Sequence, residues 1–96
     1  MNRKQILATY KRVNEEIQAM KKSIAKDIAG ILEKENITQT QAAFIMNDAP
    51  SQISLVVTGK LRGFSTERLL RMRAMLGAAI EVKVTKSTKP SIKKVA

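Results

Sequence analysis

No cysteine, histidine or tryptophan occurs among the 96 residues. Their absence excludes disulfides, Cys and His nucleophiles, imidazole acid–base catalysis and the usual Cys/His metal sites. Aromatic residues are limited to Tyr10, Phe44 and Phe64, so a core has to be built from Ile, Leu, Val, Met and Ala. No proline precedes Pro50 and no glycine precedes Gly30, so nothing breaks a helix over the first third of the chain. No apolar run approaches the roughly 18–20 residues that cross a bilayer. Met1–Gln5 is not followed by the apolar stretch of a signal peptide, and a cytoplasmic location is expected. A Gly-rich phosphate loop of the usual spacing is also missing. Glu15–Glu16 and Glu33/Glu35 fall on helical faces of a basic chain, where ion pairing or solvation outweighs general acid–base work. The expectation is a non-enzyme with no catalytic residues, no metal and no cofactor.

What the chain has in excess is positive charge. Eighteen basic residues stand against eight acidic ones, a net +10. The distribution is uneven: residues 1–26 carry net +5, residues 27–48 net −3, residues 49–85 net +4 and residues 86–96 net +4. A small basic globule of this kind favours a polyanionic partner, above all nucleic acid.

Hydrophobic spacing organises the chain. Ile6, Tyr10, Val13, Ile17, Met20, Ile24, Ile28 and Ile31 recur at steps of three and four, the signature of one long amphipathic helix. From Met20 to Leu32 this face is expected to pack on the domain's own core, with Met20, Met72 and Met75 among the core residues. Upstream of Val13 the 4-3 alternation also suits a coiled-coil seam, a partner contact or a fraying end. Asn36 ends this helix, because asparagine tolerates the left-handed conformation. Thr38 and Gln41 form a capping-box pattern that opens a short helix over Gln39–Met46. Asn47-Asp48-Ala49 is a turn, and Pro50 takes the first position of a helix over Pro50–Val57. Thr58-Gly59 stops it, and the basic loop Lys60–Phe64 follows. Ser65 caps a further helix from Thr66 to about Leu76, with Gly77 as its stop. Ile80–Thr85 alternates apolar and polar residues as a half-buried strand does. A lone strand leaves its backbone unpaired, so pairing with a second copy through Ile80, Val82 and Val84 is expected. Lys86–Ala96 is basic, without acids, and is expected to be a disordered tail.

Residues 39–58 have the spacing of a helix-turn-helix, two short helices crossing closely over a turn of three or four residues. Such a crossing needs a small residue in the first helix, and Ala43 provides it. Ala42, Met46, Ile53 and Val56 provide the shared apolar side. Asn47 stands where φ is positive and glycine is usual.

Several runs then resemble one family. Ile37-Thr38-Gln39-Thr40-Gln41-Ala42-Ala43-Phe44-Ile45-Met46 and Ile53-Ser54-Leu55-Val56-Val57-Thr58-Gly59-Lys60 resemble the helix-turn-helix of XRE-type, Cro-like DNA-binding domains. Leu61–Leu69 and Leu76–Val84 resemble a subgroup that includes HigA-like antitoxins and small phage or plasmid regulators. The resemblance covers Ile24–Thr85. It implies an all-α, lambda-repressor-like domain over residues 24–85, here preceded by a helical extension at residues 1–23 and closed by the dimerisation strand, with the tail at residues 86–96.

The resemblance also assigns roles. The second helix of the motif enters the major groove, which places Pro50, Ser51 and Gln52 at base edges and Leu55 one turn further on. Gln52 could pair bidentately with adenine and Leu55 could meet a thymine methyl, or else serve as a core or interface residue. Gln39 would hold the DNA backbone, and Thr58, Lys60 and Arg62 would contact phosphates. Arg68, Arg71 and Arg73 read as a solvated helix face. Asp48, Ala49 and Pro50 depart from the family pattern: Asp48 brings negative charge to the DNA side and Ala49 removes a side-chain cap. The function implied is a homodimeric repressor of double-stranded DNA, with no membrane role. The alternative is an antitoxin that binds a toxin protein through Ile6, Tyr10, Val13 and Ile17.

Overall fold

A computed structural model describes residues 1–88. Four helices follow one another: α1 (Arg3–Lys34), α2 (Gln39–Met46), α3 (Pro50–Val57) and α4 (Thr66–Thr88). Among the described residues there is no strand. The boundaries of α2 and α3 are those expected from caps and spacing.

Each helix has a local reason to start. Asn2 Oδ1 accepts from the Gln5 N–H, and Gln5 Oε1 accepts from the Asn2 N–H, both at 2.9 Å, a reciprocal cap that opens α1. Thr38 and Gln41 do the same for α2, at 3.1 and 2.9 Å. The Ser65 hydroxyl accepts from the Arg68 N–H at 3.0 Å at the head of α4. The first three helices also end alike. Asn36, Asn47 and Gly59 all have positive φ, at 56°, 53° and 78°. The residue after each then donates its N–H back five positions, from Ile37 to Leu32, Asp48 to Ala43 and Lys60 to Leu55, at 2.8–2.9 Å. This left-handed closure satisfies helix-end carbonyls and reverses the chain within two residues.

The core draws on every element. Ile24, Ile28 and Leu32 of α1 meet Ala42, Ala43 and Met46 of α2, Ile53 and Val56 of α3, and Leu69, Met72 and Leu76 of α4. Leu61 and Phe64 of the α3–α4 loop complete it. α4 packs against both α1 and α2. The first residue buried against this body is Lys21, and residues 1–20 are exposed throughout. Met20 is therefore not a core residue: it is 52% exposed, because the face of α1 that meets the body runs through Lys21, Ile24, Ala25, Ile28 and Leu32. Met72 is buried and Met75 half-buried.

The expected C-terminal strand is a helix instead. α4 runs through Gly77 to Thr88, so Ile80, Val82 and Val84 are helical and cannot pair as a strand across a dimer. The physical reason lies in spacing and backbone satisfaction. Leu69, Met72, Leu76 and Ile80 step by three, four and four, and Ile80 packs against the core as the next turn of that face. A helix also satisfies its backbone without a second chain, which a single strand cannot do. Of the basic tail expected at Lys86–Ala96, residues 86–88 continue α4 and the remainder lies outside the described residues.

Glycine behaves differently at two positions. Gly77 sits in mid-helix with open space where a Cβ would stand, whereas Gly59 holds φ at 78°. Gly77→Ala is expected to raise stability by about 0.5–1 kcal/mol. Gly59→Ala is expected to lower it by about 1–2 kcal/mol, since an L side chain is strained there. Chemical-denaturation midpoints of the two variants should move in opposite directions.

Candidate nucleic-acid interface

The α2–turn–α3 unit is built around two small residues. Ala42 and Ala43 are buried where α3 crosses, and Ile53 and Val56 face them from α3. The turn between the helices takes the left-handed residue Asn47 and leads directly to Pro50 at the first position of α3. The sharp reversal leaves the first turn of α3 at the surface. Pro50 and Ser51 are exposed, and Gln52 is half-exposed. Gln39 is exposed at the first turn of α2.

The loop after α3 shows how the sequence displays positive charge. Leu61 and Phe64 are buried and pin the loop, and the Phe64 N–H donates to the Leu61 carbonyl at 2.9 Å. Lys60 and Arg62, on either side of Leu61, are left exposed. Thr58 is exposed too, but its hydroxyl donates to the Ser54 carbonyl at 2.7 Å and so closes α3. Leu55 is half-buried and packs against the core. The structure thus brings Ser51, Gln52, Lys60 and Arg62 to the surface at the two ends of α3, while Leu55 is turned inward.

Two basic residues join this surface from α1. Lys22 and Lys26, both exposed, line a shallow groove with Ala25, Ala29, Val56, Val57 and Gly59. They flank the C-terminal end of α3 just before Lys60. Their spacing of four on one helix was the available signal, but only the packing of α1 on α3 shows what they face.

Arg68 is the residue whose place the sequence concealed. Its Nη2 donates to Asp48 Oδ2 at 2.9 Å and to Gln52 Oε1 at 3.1 Å. Its guanidinium lies over the Phe64 ring, 4.4 Å from the centroid, in a cation–π contact. Arg68 is thus more than a solvated side chain: 35% of it is exposed, but its head ties α4 to the turn and to the first turn of α3. Arg71 and Arg73 are paired as well, with Glu67 at 2.8 Å and Asp27 at 3.3 Å. Asp48 also accepts from the Ala49 N–H at 2.9 Å, so its charge is answered within the protein rather than facing outward alone. Ala49 itself gives α3 no side-chain cap.

Asp48 titrates accordingly. Partial burial works to raise its pKa, but the Arg68 hydrogen bond, the Ala49 N–H and the Arg68 charge outweigh it and hold the carboxyl below its ordinary value of 3.8. A carboxyl depressed in the folded state adds stability above its unfolded pKa and loses it as pH falls through the folded value. Asp48→Asn should therefore be less stable than the parent at about pH 6 and lose that disadvantage as pH falls through the depressed folded pKa, below 3.8. Urea midpoints at the two pH values measure this directly.

A family model described as a helix-turn-helix domain matches residues 9–85. The chain belongs to this family. The match takes in the α2–α3 unit, the basic loop, most of α1 and α4 as far as Thr85. No curated protein and no solved structure matches the chain. In DNA-binding helix-turn-helix units the second helix of the motif is the recognition element; the second helix of the motif here is α3. Among the described residues no helix is long and apolar enough to cross a membrane.

Among the described residues, two apolar surfaces are exposed. Along α1, Ile6, Tyr10, Val13, Ile17 and Met20 form an exposed stripe. Between α2 and α4, Phe44 is 90% exposed beside Ile45, Met75, Ala78, Ala79 and Val82. Of the three residues expected to dimerise, Val82 belongs to this second surface, and Ile80 lies half-buried at its edge.

Proposed function

We propose that this helix-turn-helix domain is a sequence-specific regulator that binds double-stranded DNA as a homodimer and represses transcription by occluding a promoter. The observation that carries it is the exposed N-terminal turn of α3, with Ser51 and Gln52 presented and the basic pair Lys60 and Arg62 fixed at the other end of the same helix. The first pair suits base edges and the second suits phosphates. The resemblance of residues 24–85 to XRE-type regulators supports the same assignment. Dimerisation through the α2–α4 surface around Phe44 and Val82 would cover the exposed Phe44 ring and its apolar neighbours. It would set two copies of α3 about one DNA turn apart, roughly 34–36 Å, over a pseudo-palindromic site.

Binding of the full chain to its own upstream DNA and to scrambled DNA, across a salt series, tests the reading. Preference for the upstream site of about 10³-fold or more is expected. Equal binding to both, governed by salt alone, would refute it. Phe44→Ser should turn a dimer into a monomer in sedimentation; an unchanged mass would exclude that interface.

The exposed stripe on α1 favours a second reading, an antitoxin that holds a toxin along Ile6, Tyr10, Val13 and Ile17 while repressing its own operon. Deletion of residues 1–19 should then abolish capture of the product of the adjacent gene and leave DNA binding in place.

A further inference from the structure

We propose that Arg68 is a positioning residue that sets the polarity of Gln52, so that Gln52 reads a guanine rather than pairing bidentately with adenine. The inference rests on the DNA-binding reading and refines it. Gln52 Oε1 accepts from Arg68 Nη2 at 3.1 Å. A guanidinium only donates, so the amide must turn its oxygen toward Arg68 and its nitrogen away. Arg68 cannot drift aside easily. The same Nη2 is held by Asp48 at 2.9 Å, and the guanidinium rests on the buried Phe64 ring at 4.4 Å.

The consequence for base reading is chemical. A bidentate contact to adenine needs the glutamine oxygen to accept from N6 while the nitrogen donates to N7. Here that oxygen is already engaged by a cation, and an approaching amino group would meet positive charge behind it. What Gln52 offers outward is the two N–H donors of Nε2. Guanine presents two adjacent acceptors in the major groove, O6 and N7, and no donor at those positions. The arrangement therefore matches guanine and disfavours adenine and the amino group of cytosine.

Selection of binding sites from randomised DNA by the full chain tests this. The base pair read by Gln52 is the one whose preference disappears in Gln52→Ala. Wild-type protein should select guanine there. In Arg68→Met the amide is free to turn, and adenine should gain on guanine by roughly tenfold at that base pair alone, the size expected for one charge-assisted hydrogen bond. Selection of adenine by the wild type would overturn the proposal, as would an Arg68→Met profile identical to wild type. If Arg68→Met does not fold, the wild-type base at that position still decides. A Gln52→Ala profile identical to wild type at every position would also overturn it. A profile flat at every position would instead sink the regulator reading and the proposal together.

Discussion

Replacing Ser51 and Gln52 together by alanine is expected to reduce the preference for the operator by about 10²-fold or more, with little change in affinity for scrambled DNA. Each good base-edge contact discriminates by about 1–3 kcal/mol, and the exposed first turn of α3 has only these two side chains able to make one. Pro50 has no polar side-chain atom, and Leu55 is packed against the core. The set of readers is lean, so losing both removes most of the direct readout. Lys60→Ala and Arg62→Ala should behave in the opposite way. Each should weaken binding to all sequences alike and lower the slope of log affinity against log salt by about one. Equilibrium binding at several salt concentrations, on specific and scrambled duplexes, separates the two classes. If the Ser51/Gln52 double variant kept its operator preference, α3 would not be the recognition helix.

The second large effect concerns stability. Leu69→Ala should destabilise the domain by about 2–5 kcal/mol, the range for truncating a fully buried leucine. Leu69 is 0% exposed and lies at the head of α4, in the core shared with α1, α2 and α3. A domain of this size has roughly 5–15 kcal/mol of stability in all. The thermal midpoint should therefore fall by roughly 10–30 °C, readable by circular dichroism at 222 nm. The same change would loosen the α4 anchor of Arg68, one residue earlier, and so reach α3 indirectly. A fall of only a few degrees would mean that the α4 contact is not a principal support of the fold.

Much of this architecture is legible in the residues because it is local. Thr38 with Gln41, Asn47, Pro50 and Gly59 each act within a few positions of themselves. Capping and left-handed closure depend on neighbouring backbone groups alone, which is why α2 and α3 begin and end where expected. The small residues Ala42 and Ala43, the buried pair Ile53 and Val56, and the exposed Lys60 and Arg62 follow from spacing on those helices.

What was not legible depended on something distant in the chain. Ile80–Thr85 alternates like a strand, yet Ile80 also continues the row of Leu69, Met72 and Leu76, and the core beneath that row selects the helix. Periodicity of two and of four both fit a segment so short, and only a packing partner can choose between them. Met20 carries the right period for the core, but contact with the body begins only at Lys21, on a face of α1 that leaves Met20 52% exposed. Arg68 is twenty residues from Asp48 and sixteen from Gln52, and no local rule connects them. The sequence by itself determined the two short helices, their turn and the basic loop, since these rest on backbone chemistry between near neighbours. Only the tertiary structure decided the course of α4, the place of Lys22 and Lys26 beside α3, and the hold of Arg68 on Gln52. Those depend on which surfaces meet once the chain has collapsed around Ile28, Ile53 and Leu69.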